Sequence, residues 1–117
     1  MKHLSFVCAF LLLVTCMLTA QTNPVPFVNQ PLVPETVPPG SSGFTLTVNG
    51  SGFAPTAVVK WNNTVRATAV LSPTQLQASI RAADVATART AMVTVVNLDS
   101  HNETSNVAYF TVRHGSW

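Results

Sequence analysis

The sequence predicts an all-β fold in which two sheets pack face to face as a sandwich. From Gly43 onward, apolar residues alternate with polar ones at a period of two, whereas a helix would show a period of about 3.6. The alternating runs are rich in the β-branched and aromatic residues that suit a half-buried pleated surface. Short runs of this kind, separated by polar turns, are typical of a β-sandwich.

The N-terminal segment has the layout of a secretory signal peptide. A basic start, Lys2-His3, precedes an apolar run, and small or polar residues close that run at Thr19-Ala20-Gln21. The uninterrupted apolar core, residues 6–14, is far shorter than the roughly 20 residues that span a bilayer. We therefore predict a signal peptide at residues 1–20, cleaved after Ala20, and a mature chain without a membrane span.

Both cysteines, Cys8 and Cys16, lie in the predicted signal peptide. Lipidation of Cys16 is disfavoured because Thr15 precedes it, where a bacterial lipobox has Gly, Ala or Ser. The mature chain would have no cysteine, so packing must replace the disulfides that often support small secreted domains. Cleavage would also remove Lys2 from the six Lys and Arg that face four Asp and Glu, which leaves a formal balance of 5 − 4 = +1. Such a balance shows no basic face and predicts no nucleic-acid partner.

The segment from Gln21 to Gly40 is rich in proline, which fixes φ and lacks an N–H donor. It can therefore form neither a helix nor a central strand. We predict a Pro-rich leader at residues 21–30, a folded domain at residues 31–113 and a C-terminal tail at residues 114–117. The large apolar residues of the proline-rich segment are interpreted as an edge strand clipped to the domain: Phe27, Val28, Leu32 and Val33.

Further strands are predicted at about residues 44–48, 58–61, 65–71, 76–80, 92–96 and 107–112. Trp61 has the same parity as Val59, which places it inside the sandwich rather than on the surface as a platform for sugar. The stretch from Ala82 to Ala88 is rich in alanine but short and without an apolar stripe. It predicts at most one helical turn in a crossover between strands.

The run FTLTVNGSGFAP, residues 44–55, raises the question of what Gly50 and Gly52 do. Asn49-Gly50 alone signals a hairpin, but no return strand of useful length follows. A phosphate-binding loop would need a following helix, and a strand follows instead. The favoured interpretation is a bulge or kink that both glycines permit, with Phe53 returning to the core. A hairpin and a ligand loop remain the alternatives.

Four stretches resemble the IPT/TIG domain: FTLTVNGSGFAPTAVVKWNNT, SPTQLQASI, VTVVN and TSNVAYFTV. The resemblance covers about residues 31–112 and implies an early-set immunoglobulin-like β-sandwich of about seven strands, in a secreted bacterial protein. The family's GxGF element maps onto Gly50, Gly52 and Phe53. Its closing element, an Asn at the end of one strand and then Ser-Asn before the last strand, maps onto Asn97, Ser105 and Asn106. The family usually has an Asn-Gly turn where this chain has Asn62-Asn63.

The residues offer little chemistry of their own. The mature chain has neither a Gly-x-Ser-x-Gly elbow nor a cysteine, so we assign no catalytic residue and no cofactor. Asp99, His101 and Glu103 alternate and could ligate a metal, but a solvated loop between the last two strands is the favoured interpretation, so we assign no metal. Three Asn-x-Ser/Thr matches are interpreted as coincidences in a surface rich in Asn and Thr.

We therefore predict a secreted, non-catalytic module that acts as a spacer or a protein-binding domain at the cell surface. Its partner is an unknown protein or glycan. The alternative is a carbohydrate-binding accessory module, which a surface row of aromatic residues would favour. The sequence offers only Tyr109 and Trp117 for such a row, and Trp117 is interpreted as part of a frayed tail.

Overall fold

The computed structural model describes residues 25–99 and 101–114. Their regular structure is β-strand apart from one short 3₁₀ turn, Ala82–Val85. The strands are β1 (Phe27–Val28), β2 (Thr36–Val37), β3 (Phe44–Ser51), β4 (Ala57–Trp61), β5 (Thr64–Arg66), β6 (Thr68–Ser72), β7 (Gln75–Ile80), β8 (Arg89–Asn97) and β9 (Ala108–Val112). The predicted all-β class is confirmed.

The strands form two sheets that pack as a sandwich. One sheet has four strands in the order β1-β3-β7-β6, and the other has five in the order β2-β9-β8-β4-β5. Neighbouring strands run antiparallel, except that β2 runs parallel to β9. The 3₁₀ turn lies in the crossover from β7 in the first sheet to β8 in the second, as the alanine-rich stretch predicted.

The core lies between the sheets and is built from alternate positions along the strands. Its largest members are Trp61 and Phe110, whose ring centroids lie 5.2 Å apart. The interior positions that the alternation predicted are buried: Leu46, Val48, Val59, Trp61, Leu76, Ala78 and Ile80. Phe44 is half-buried and stacks on Phe110 at a centroid distance of 5.6 Å. The predicted inward-facing positions of these strands are therefore confirmed.

The proline-rich segment contributes the first edge strand of each sheet. β1 pairs antiparallel with β3 although it lies within residues 21–30, the range predicted as a leader, so part of that range belongs to the sandwich. Val33 forms an isolated bridge with Thr47, and β2 follows on the other sheet. The nine described strands exceed the expected seven partly because prolines divide this segment. The predicted 65–71 strand also divides, because the chain changes sheets at Ala67.

A tight hairpin turn joins β4 to β5. Both of its central residues, Asn62 and Asn63, have positive φ, at 49° and 69°. A type I′ turn needs this conformation twice, and asparagine tolerates it better than other residues with a side chain. The Asn62 backbone N–H donates to the Met92 carbonyl, and its side-chain Oδ1 accepts from the Met92 N–H. The Asn-Asn pair thus serves where the family has Asn-Gly.

The predicted signal peptide, the disfavoured lipidation at Cys16 and the tail residue Trp117 fall outside the described residues. Within the described part of the chain, no helix is long and apolar enough to cross a bilayer.

Candidate functional site

Gly50 lies within a regular strand, which corrects the expectation that it bends the chain. It pairs with Val28 in β1, and the β3 ladder continues through Ser51 to Phe27. A Cβ at position 50 would collide with the Phe27 carbonyl oxygen and would come within 2.8 Å of the Phe53 ring. Glycine is needed here because a neighbouring backbone approaches closely, and the neighbouring strand is β1 rather than the return arm of a hairpin.

The chain turns at Gly52, where β3 has ended. Gly52 has φ of +72°, and a Cβ there would come within 2.7 Å of the Val25 carbonyl oxygen. The turn returns Phe53 to the core, where 3% of its surface is exposed. Within the GxGF element, Gly52 therefore lies at the turn and Phe53 lies in the core.

Asn97 holds this turn from the other sheet. It is the last residue of β8, and its side chain is fully buried. Its Nδ2 donates to the Gly52 carbonyl at 2.9 Å, and its Oδ1 accepts from the Ala54 N–H at 3.0 Å. A buried backbone group without a hydrogen-bond partner is energetically costly. The Asn97 amide therefore supplies hydrogen bonds that the turn does not make to a neighbouring strand.

Asn106 performs a similar role at the open edge of β1. Its Oδ1 accepts from the Val28 N–H at 2.8 Å, and its Nδ2 donates to the Val28 carbonyl at 3.0 Å. The side chain thus pairs with Val28 as a neighbouring strand would. Ser105 beside it accepts from the Val95 N–H and donates to the Asn106 carbonyl. The motif residues that the resemblance indicated therefore hold the sandwich together.

A buried ion pair joins the end of β5 to the crossover between β7 and β8. Arg66 ends β5 and Asp84 lies in the 3₁₀ turn, and two hydrogen bonds of 2.8 and 2.6 Å join the guanidinium to the carboxylate. Burial alone would raise the pKa of the Asp84 carboxyl. Hydrogen bonds from the Arg66 side chain and the Arg81 N–H, with both positive charges, hold that pKa below its ordinary value of 3.8. The pair was not predicted from the sequence, because its two residues lie on separate elements and no sequence motif links them.

The loop after β8 is arranged by local hydrogen bonds. The Asp99 carboxylate accepts from the backbone N–H groups of His101 and Asn102. Thr104 then forms a bridge with Val96. Among the described residues, no cluster of three His, Cys, Asp or Glu side chains is placed to hold a metal.

The five-stranded sheet has an outer face, here called the outer β9 face, whose side chains are half-buried or exposed. It consists of outward side chains on its strands: Lys60, Val65, Met92, Thr94, Tyr109 and Thr111. Met92 and Tyr109 lie opposite each other on β8 and β9, with 43% and 56% of their surfaces exposed. Val65, also 52% exposed, lies opposite Lys60. The face therefore combines apolar side chains with threonines and a single charge.

A cleft of about 500 Å³ adjoins this face where the segment after β1 passes beside β9. Its lining includes Gln30, Glu35, Tyr109, Thr111 and Arg113. The Tyr109 N–H donates a long hydrogen bond of 3.4 Å to Oε1 of Gln30. Of these residues only Tyr109 was considered as a binding residue from the sequence. The cleft depends on the parallel pairing of β2 with β9, which no local sequence pattern predicts.

Two packed sheets with this order, closed by Asn97 and Asn106, define an immunoglobulin-like β-sandwich. The family model of the IPT/TIG domain matches residues 29–112. The chain therefore belongs to the IPT/TIG family. Domains of this family are immunoglobulin-like modules that often serve in protein interaction or as spacers, and they are generally non-catalytic. No curated protein matched the chain.

Proposed function

We propose that the chain is a secreted, non-catalytic module that binds a partner protein through the outer β9 face, at the cell surface or outside the cell. The exposed cross-strand pair of Met92 and Tyr109 carries this proposal. Contiguous apolar surface rimmed by polar groups is a mark of interaction sites, and tyrosine and methionine are enriched at protein interfaces. The layout of residues 1–20 supports secretion.

The chemistry of the face indicates what the partner should offer. Met92, Tyr109 and Val65 call for an apolar surface on the partner. Lys60 is the only charged residue among the side chains that define the face, and it is half-buried. A partner carboxylate placed opposite Lys60 would complement this charge and would suppress partners that place a basic group there.

Position-specific photo-crosslinking in the native host tests this proposal. A photoreactive residue at Met92 should give a discrete crosslinked protein, whereas the same residue at Ser79, exposed on the other sheet, should not. The purified crosslinked protein should then bind the Met92→Lys variant at least about tenfold more weakly, a loss of about 1.4 kcal/mol. The Ser79→Lys variant should bind it like the wild type.

Equal crosslinking from both positions, or none from either, would contradict binding through this face. The second result would favour the role of a spacer, which needs no conserved contact surface.

A further inference from the structure

We propose that the cleft beside β9 binds a neutral carbohydrate, a mono- or disaccharide unit. The volume of about 500 Å³ lies within the range of about 300 to 1,000 Å³ that is usual for small-ligand sites. Tyr109 and Thr111 belong both to the cleft and to the outer β9 face, but this inference does not rest on the protein-binding function, because it depends on Glu35 and Arg113 and not on Met92.

The wall of the cleft is built in advance of any ligand. Leu32, at 2% exposure, anchors the segment in the core, and Val33 exchanges two backbone hydrogen bonds of 3.2 and 2.7 Å with Thr47. Further along, the Thr36 hydroxyl donates to the Thr111 carbonyl. A wall held at these points loses little conformational freedom when a ligand enters, so little binding energy is spent on ordering it.

Tyr109 supplies the apolar surface that a sugar ring needs. The side chain is 56% exposed at the cleft and combines an aromatic body with a hydroxyl. One face of a pyranose presents mainly C–H groups, which pack on an aromatic ring, while the hydroxyls at its rim remain free for hydrogen bonds.

Glu35 and Arg113 supply the polar groups, and both side chains are exposed. Among the described residues, neither side chain takes part in an ion pair or a hydrogen bond. A carboxylate accepts from a sugar hydroxyl and a guanidinium donates to one, so a ligand with hydroxyl groups can satisfy both.

The two opposite charges leave the cleft without a net charge. The attraction of an anionic or a cationic ligand to one of them is offset by repulsion from the other. A neutral polyol meets no such repulsion, and charge-assisted hydrogen bonds to both side chains favour it over an apolar ligand.

Titration by nuclear magnetic resonance tests the site. The full gene product as recovered from its host, labelled with ¹⁵N, is titrated separately with cellobiose, maltose, lactose and N,N′-diacetylchitobiose. The titrations extend to about 20 mM, which detects a Kd near 1 mM. At least one disaccharide should produce saturable shifts of the Thr36, Tyr109 and Thr111 amide signals.

Matched variants locate the sugar. Glu35→Ala and Arg113→Ala should each raise the Kd about tenfold, as the loss of a hydrogen bond to a charged group implies. Tyr109→Ala should abolish saturable binding. Phe27→Ala, which removes an aromatic side chain 51% exposed on the other sheet, should leave the Kd unchanged. Val65→Lys, on the outer β9 face but on β5, at the other edge of the sheet from the cleft, should also leave the Kd unchanged.

Two outcomes would overturn the proposal. One is the absence of saturable shifts with all four disaccharides. The other is binding whose Kd is the same in the wild type, Glu35→Ala and Arg113→Ala.

Discussion

The side-chain amide of Asn97 donates to the carbonyl of Gly52 across the gap between the two sheets, at 2.9 Å. The same side chain accepts a hydrogen bond from the Ala54 N–H, so one residue satisfies two backbone groups of the turn that follows β3. The turn and the end of β8 are therefore held as one unit, and this joint should be among the most sensitive positions in the domain.

Asn97→Ala should destabilise the protein by about 2 to 4 kcal/mol, because it leaves buried backbone groups without partners. Urea denaturation at unchanged slope measures this loss. Asn49→Ala is the control, since that asparagine is half-buried and, among the described residues, its side chain accepts a hydrogen bond only from the Gln75 side chain. An equal effect at both positions would refute the special role of Asn97.

Phe53→Ala should cost about 3 to 5 kcal/mol in unfolding free energy, because it removes a buried ring and leaves a cavity. Phe27→Ala should cost much less, since about half of that side chain is already in water. The two midpoints in urea give the comparison. A wild-type midpoint for Phe53→Ala would contradict the scaffold interpretation of the GxGF element.

Substitutions of Gly50 and Gly52 should destabilise the protein for different reasons. Gly50→Ala should destabilise by more than about 1 kcal/mol, because overpacking at a close backbone approach forces the chain to shift. Gly52→Val should also cost more than about 1 kcal/mol, because a β-branched residue is strained at positive φ. Ser51→Ala, between them and exposed, should be nearly silent. A silent Gly50→Ala would show that β1 does not pack against β3 in this way.

Asp84→Asn should destabilise by about 3 to 5 kcal/mol, because it leaves the Arg66 guanidinium buried beside a neutral group. The Arg66–Asp84 ion pair should also make the free energy of unfolding depend on pH. The folded-state pKa of Asp84 is lowered, so the contribution of the pair is complete above about pH 4 and is lost as pH falls through that lower pKa.

Urea midpoints measured from about pH 6 to about pH 2 test the sign. The wild type should lose more stability on acidification than Asp84→Asn, because only the wild type has the Asp84 carboxylate, whose protonation breaks the ion pair with Arg66. Parallel curves for the two proteins would show that Asp84 does not couple folding to pH.

Export can be tested by intact mass. The protein recovered from the periplasm or the culture medium should begin at or near Gln21, because the Ala20 boundary has the small residues that signal peptidases accept. A cytoplasmic chain that retains Met1 would contradict secretion.

The inward and outward faces of the strands were predictable because a period of two directly encodes which side chains face the core. Leu46, Val59 and Leu76 were placed correctly on that basis. Gly50 was misread because its constraint comes from β1. The sequence predicted an edge strand at Phe27 and Val28, but the alternation does not show which strand they pair with. The Arg66–Asp84 pair and the cleft at Glu35 and Arg113 depend on contacts between distant segments, which alternation does not encode.

The parallel pairing of β2 with β9 has a mechanical consequence. β2 lies near the beginning of the domain and β9 is the last described strand, and they run in the same direction. Once β1 and the Val33 bridge had separated from β3, a pull on the two ends would drive β2 and β9 apart along their shared axis. The bonds between them, including Arg113 N–H to the Val37 carbonyl, would then be loaded together in shear instead of opening one after another. In a module tethered at both ends, the outer β9 face would remain folded under tension until the hydrogen bonds between β2 and β9 broke.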